Sequence, residues 1–254
     1  MLVYPSGIDL SSSALRYLSG LLTARRLERG TRWRRLPAGR QALLVLAHLR
    51  CGHTYAQLAA GFGVGTTTVY RYVTEAVEVL AALAPELATA MKTASAKAFV
   101  ILDGTLLPID RIAADRPYYS GKHHQHGMNV QVLADPFGRL LWASPALPGA
   151  VHDIRAARTH GIIETLTSVN LPCWADKAYR GAGGTIRVPY WGRWEKLSAG
   201  RQAHNRSHAK IRALGEQAVA TLKSWRLLRK LRCSTTRITD LVKAVLTLHL
   251  RSAA

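Results

Sequence analysis

Residues 98–105 constrain this chain more than any other stretch. Ala98, Phe99, Val100, Ile101 and Leu102 form a short apolar run with two β-branched members, which reads as a fully buried strand. The run ends in Asp103, followed by Gly104 and Thr105, residue types that suit a turn. A carboxylate at the tip of a buried strand is held rigidly where the core opens to solvent. It is costly there unless it is paired or bound to a metal.

The pattern on the two sides of residue 98 differs, and that shift marks a domain boundary. Residues 1–95 read as helical, and residues 96–254 as α/β. Ser11, Ser12 or Ser13 caps a helix through Leu15, Leu18, Leu21 and Leu22, and residues 41–49 form an apolar helix. Residues 54–73 read as helix, tight turn, helix. Thr54 caps the first helix, Gly61 and Gly63 permit the turn, and Leu58, Val64 and Val69 are spaced to meet between the helices. The second helix opens with Thr66, Thr67 and Thr68 and carries Tyr70 and Arg71, side chains able to reach phosphates and base edges. Pro85 stops it.

Past residue 98, a short extended piece is expected over 106–109 and a polar, His-rich loop over 118–127. Residues 128–134 and 140–146 flank Asp135-Pro136-Phe137-Gly138 and read as a hairpin. Asp153 is expected as the N-cap of a helix over 154–166. Leu171 to Ala175 then repeats the opening theme, a short apolar strand ending in Asp176. Residues 181–200 read as loop, with Trp191 and Trp194 among Arg193 and Lys196. A long basic helix follows from about residue 199 towards Leu228, with Ile211, Leu214, Ala218, Val219 and Leu222 on one face. Thr235 or Thr236 caps a last helix reaching Leu250.

Charge narrows the partners. The chain carries 35 Lys and Arg against 15 Asp and Glu, a formal charge of +20, which points to a polyanion, above all nucleic acid. Arg25, Arg26, Arg29, Arg32, Arg34, Arg35 and Arg40 cluster around Trp33 and suit a phosphate backbone. Residues 201–254 hold 12 basic residues and 2 acids, whereas residues 101–150 hold 4 of each. A neutral middle between basic flanks suits a site that holds cations beside a nucleic acid.

Other classes are excluded. Cys51, Cys173 and Cys233 lie far apart without a CxxC pair, which argues for a reducing, cytoplasmic setting. No apolar run is long enough to cross a membrane, and no signal-peptide pattern opens the chain. His123, His124 and His126 lack the companions of structural zinc. A strand ending in Asp-Gly-Thr also resembles haloacid-dehalogenase phosphatases, but the position of their nucleophile is Ile101 here.

Asp103, Asp176 and Glu216 remain. Glu216 stands out on an otherwise basic helix, the plain alternative being a surface acid paired with Arg212. Three carboxylates brought together repel one another unless divalent cations lie between them. Mg²⁺ takes hard oxygen ligands and leaves positions for phosphate oxygens and water. Two such ions suit phosphodiester chemistry.

Taken with their order, these motifs resemble a known family: the DDE transposases of bacterial insertion sequences, in the Harbinger-like endonuclease group. The resemblance rests on residues 54–73, Asp103-Gly104-Thr105, Tyr119-Ser120-Gly121-Lys122 with His126-Gly127, Pro148-Gly149 through His152-Asp153, Asp176-Lys177-Ala178-Tyr179, Glu216, and Leu222-Lys223-Ser224-Trp225. It implies a ribonuclease-H-like core, a mixed sheet flanked by helices, behind an all-α helix-turn-helix domain. It implies Asp103, Asp176 and Glu216 as ligands of Mg²⁺ or Mn²⁺, two ions per site. It implies binding of an element's terminal inverted repeats, cleavage by metal-activated water and joining of the 3′-hydroxyl to target DNA, by a homodimer or larger assembly in the nucleoid. Lys122, His126, Lys177, Arg193 and Lys223 are expected at DNA; Asp153 is the rival for the second carboxylate, and its place at a helix cap puts it behind the metal ligands instead. The family often has Gly where this chain has Ala178, which would strain the turn if that position needs a positive φ. A DNA-binding protein with an inactive core, and a nuclease without strand transfer, are the alternatives.

Overall fold

The structure is a computed structural model of the 254-residue chain and describes residues 10–31, 33–110 and 116–253. Arg32, one of the residues expected at DNA, lies outside them. In chain order come helices α1 (Ser12–Glu28), α2 (Ala38–Cys51), α3 (Tyr55–Phe62), α4 (Thr66–Ala81) and α5 (Leu87–Ala94). Strands β1 (Val100–Pro108), β2 (Tyr119–Ser120), β3 (Gln125–Ala134), β4 (Leu140–Ala143) and β5 (Leu147–Pro148) follow. The chain then forms α6 (Asp153–Thr159), α7 (Ile162–Ser168), β6 (Cys173–Ala175), β7 (Ile186–Arg187), α8 (Ala199–Lys223) and α9 (Ile238–Ala253).

The described residues divide into two compact units. One comprises residues up to Ala84 together with those from Lys223 on. The other is Pro85–Leu222. The residues from Lys223 on, read from the sequence with the α/β part over 96–254, fall with the N-terminal helices in this division. The reason is burial. Val242, Ala244, Val245, Leu246 and Leu248 put an apolar stripe of α9 into the core of the helical unit, and Thr247 Oγ1 donates to the Leu80 carbonyl of α4 at 3.0 Å. The basic helix also ends earlier than expected, at Lys223, and Arg226–Arg229 forms a 3-10 turn.

In the helical unit, Thr54 and Gln57 form a capping box. Thr54 Oγ1 accepts from the Gln57 N–H at 3.3 Å, and Gln57 Oε1 accepts from the Thr54 N–H at 2.9 Å. Gly63, at φ +64°, closes α3 in the left-handed conformation, while Gly61 lies inside the helix. Leu58, Phe62, Val64 and Val69 are buried.

The second unit is a mixed sheet in the order β2-β3-β1-β6-β7, with β4 and β5 also pairing β3. β1 and β3 are antiparallel, and β1-β6 and β6-β7 are parallel. β1 does not end at Asp103. It runs on to Pro108 because β3 pairs it from Ile101 to its end, Asp103 opposite Val132 and Gly104 opposite Gln131. The expected turn at Gly104-Thr105 is thus strand. β7 forms inside the stretch read as loop. The helix expected over 154–166 is broken by Gly161 at φ +66°. His152, not Asp153, is the N-cap residue of α6. No helix among the described residues is long and apolar enough to cross a membrane.

Candidate active site and nucleic-acid interface

The parallel partner of β1 covers only Val100–Leu102, with Leu102 opposite Ala175. Asp103 and Asp176 are the next residue on each strand, so both carboxylates stand where the parallel pair opens. Successive strand residues face opposite sides. Asp103 shares a side with Ile101, against which Gly215 of α8 packs so closely that a Cβ there would fall 2.7 Å from Ile101 Cγ2. Gly104 faces the other side. A Cβ on it would collide with the Asp153 carboxylate and reach 3.0 Å from Gln131 Nε2. Gly104 is therefore needed for the room it leaves, not for a turn.

Burial pushes the Asp103 carboxyl up to about 6, and the neighbouring Asp176 charge adds to it. Arg212, the Gly104 N–H at 3.0 Å and Lys122 oppose the shift. Asp176 Oδ1 accepts from the Ala178 N–H at 2.8 Å, which orients its second oxygen towards Lys122, 4.0 Å away. Ala178 sits in the 3-10 turn Lys177–Tyr179 and is not among the positive-φ residues, so alanine is unstrained here.

Behind the pair lies a polar network. Lys122 Nζ donates to Asp153 Oδ2 at 3.0 Å, and Asn129 Nδ2 donates to Asp153 Oδ1 at 2.8 Å and to the Val151 carbonyl. Gln131 Nε2 donates to Asn129 Oδ1 at 2.7 Å, and the Tyr179 hydroxyl donates to Gln131 Oε1 at 2.5 Å. Burial and the three nearby carboxylates hold the Tyr179 hydroxyl protonated well above its ordinary range. Burial works against the Lys122 ammonium, but the Asp153 bond and the charges of Asp153, Asp176 and Asp103 outweigh it and raise its pKa. Asp153 is 7% exposed, so this network is a buried support rather than a surface feature.

Glu216 is exposed on α8, and its neighbour Arg212 acts on Asp103. Among the described residues, no three His, Cys, Asp or Glu side chains are grouped closely enough to hold a metal ion. Asp103 and Asp176 thus come together without Glu216. Asn129 and Gln131 were not singled out from the sequence, and Tyr179 entered only within the Asp176–Tyr179 motif and Arg212 only as a partner for Glu216. The available signal was the pair of amides at i and i+2 on an otherwise apolar strand.

The basic residues sort into groups. Lys122 is 51% exposed, Lys177 and Arg193 are exposed, and Lys223 is half-buried in the helical unit. His126 packs on the Tyr119 ring at 5.2 Å. Trp191 and Trp194 are 70% and 41% exposed, with the Arg180 and Arg206 guanidiniums 4.9 and 5.2 Å over their rings. On the helical unit, Thr66, Thr67, Tyr70 and Arg71 are exposed and Thr68 half-buried, a polar face along the start of α4. Arg35 is exposed too. Arg34 is not free for a phosphate: its Nη2 lies 2.9 Å from Glu75 Oε1, and Glu75 also accepts from Gln41 at 3.0 Å.

Comparison with known proteins adds three findings. The profile of the family described as DDE superfamily endonuclease matches residues 102–249, and that of the helix-turn-helix of DDE superfamily endonuclease matches residues 34–86. The chain is 33% identical, over 217 residues, to a Streptomyces albus G protein described as a transposase for insertion sequence element IS112, covering 81% of this chain and 76% of that one. No solved structure matches it.

Proposed function

Because the chain belongs to the DDE superfamily of endonucleases, we propose that it is an insertion-sequence transposase whose helix-turn-helix unit binds DNA and whose α/β unit, a ribonuclease-H-like core, cuts and joins it. The observation that carries this is the pairing of Asp103 and Asp176 at the open end of two parallel strands, backed by Lys122 and Asp153.

The donor set fits a hard divalent cation. Mg²⁺ is held by one or two carboxylates together with water and substrate phosphates, and Asp103 and Asp176 offer two hard oxygen donors where the parallel strands open. Asp103 and Asp176 are the primary ligands in this reading, and Glu216, exposed on α8, is carried as the third by the family resemblance alone. When bound, the divalent ions supply Lewis acidity to the scissile phosphate and lower the pKa of the attacking water. The protein's own groups do the rest. The Ala178 N–H fixes the rotamer of Asp176, and the Gly104 N–H orients Asp103. Asp153 holds Lys122 at the rim of the site, where its ammonium faces the incoming phosphate. Arg212 offsets the charge of the acids from α8. Thr66, Thr67, Thr68, Tyr70, Arg71, Arg32 and Arg35 contact element ends. Lys122, His126, Lys177, Arg193 and Lys223 contact DNA elsewhere, and a homodimer or larger assembly pairs two ends.

The test is cleavage of DNA carrying the sequences that flank the gene, in Mg²⁺ or Mn²⁺. Asp103→Asn, Asp176→Asn and Glu216→Gln should each abolish cutting and leave DNA binding intact. A variant that cuts normally removes its residue from the ligand set. A DNA-binding protein with a silent core is the second reading, favoured by Glu216 standing outside a three-acid group. It predicts binding without cutting by the wild-type protein as well.

A further inference from the structure

The helical unit contains a cavity of about 610 Å³ that the catalytic reading leaves unused. That size lies within the range of small-molecule sites, roughly 300–1,000 Å³. Its lining is one-sided in charge: Arg226, Lys230, Arg232 and Arg237 border it, and no Asp or Glu among the described residues does. Its walls are also aromatic. Tyr55 lies between His48, at 5.0 Å, and Tyr70, at 6.1 Å between ring centroids. Arg237 sits 5.0 Å over the Tyr70 ring and is pinned there by donating to Thr74 Oγ1 at 2.8 Å. Cys51, His53 and Cys233 border it as well, but no three potential ligands among the described residues are grouped to hold a metal ion.

From these features we propose that the cavity binds a nucleoside phosphate, the base against Tyr55 and Tyr70 and the phosphate among Lys230, Arg232 and Arg237. A bare phosphate would gain nothing from the aromatic walls, and an uncharged aromatic ligand would gain nothing from the positive lining. Cation–π and stacking contacts require the same flat ring that the walls present. Thr54, the cap of α3, and Tyr70, on α4, both border the cavity, so it opens beside the helix-turn-helix. The nucleotide is therefore either an unpaired one at the end of a DNA strand or a free mononucleotide, and the two share this chemistry. The proposal does not depend on the acids of the other unit.

The experiment is calorimetric titration of the full chain with deoxyadenosine monophosphate in EDTA, which keeps metal-dependent binding out. Saturable binding is expected, with inorganic phosphate weaker by about tenfold or more. The Lys230→Gln, Arg232→Gln double variant, both exposed positions, should lose about tenfold in affinity, with its melting curve as the control for fold. Alkylation gives a readout independent of any variant. The nucleotide should slow iodoacetamide at Cys51 and Cys233, which border the cavity, and leave the buried Cys173 unreactive throughout. Displacement of the mononucleotide by a duplex with an unpaired overhang, but not by a blunt one, identifies a DNA strand as the source. Displacement by neither identifies the free nucleotide. No saturation, equal binding of phosphate, or unchanged alkylation of both cysteines overturns the proposal.

Discussion

Lys122 and Asp153 form a half-buried ion pair: Nζ lies 3.0 Å from Oδ2 of an acid that is 7% exposed, and the same ammonium stands 4.0 Å from Asp176. The pair ties the acid on the Gly104 side of the sheet to the opening where Asp103 and Asp176 meet. Lys122→Met should therefore slow single-turnover strand cleavage by about 10–100-fold, the usual effect of removing a group that orients a ligand. DNA affinity should change far less, since one cation among 35 Lys and Arg is lost. Cleavage at the wild-type rate would show that Lys122 does not orient the site.

Asp103 has a folded-state pKa of about 6 against an ordinary 3.8. The protonated acid is the favoured form in the fold, so the stability is fully present below about pH 4 and is lost as pH rises through 6. Asp103→Asn removes that loss. In EDTA it should melt roughly 6–12 °C above wild type at pH 8, and the gap should close by pH 4. Divalent metal should then stabilise wild type and not the variant. A gap independent of pH would remove the burial of this carboxyl as its cause.

Arg34 and Arg35 are adjacent in sequence and opposite in role. Arg34→Ala leaves Glu75, with a side chain 9% exposed, without its cation and should destabilise the protein by about 1–3 kcal/mol. Arg35→Ala should melt as wild type but weaken DNA binding, with the slope of log affinity against log salt falling by about one. Denaturant titration and salt-dependent binding, run on both variants, check the contrast. A flat salt dependence for wild type would count against an extended basic interface.

Ala178 departs from the glycine frequent in the family it resembles, yet its φ is not positive and its N–H already serves Asp176. Ala178→Gly should not raise the cleavage rate. It should instead lower stability by about 0.4–1 kcal/mol through the freer unfolded chain. A faster enzyme would mean that the turn at Asp176 needs a conformation alanine resists.

Much of the fold was legible because local patterns carried it. Thr54 and Gln57 stand at capping-box spacing, Gly63 follows an apolar face, and the runs ending at Leu102 and Ala175 are short and β-branched or flanked by breakers. These signals act between residues close in sequence, so they survive without knowledge of the fold. The first acid shows where that ends. Asp103-Gly104-Thr105 looks like a turn by composition, but β3 pairs β1 from Ile101 to its end and makes it strand. Pairing across more than twenty residues of chain overrides local preference.

Sequence alone therefore determined the helix-turn-helix, the alternation of strand and helix, the basic character and the position of Asp103 and Asp176 just past two short apolar runs. Tertiary structure alone decided that Asp153 lies behind Lys122 rather than capping its helix, and that Arg34 belongs to Glu75. It also decided that α9 completes the helical unit, and that Arg212 rather than Glu216 acts on Asp103. The physical reason is the same in each case. A charged side chain takes its partner from whatever the packed backbone brings within a few ångströms, and an apolar stripe takes whichever core buries it. Neither partner is encoded at a fixed distance along the chain.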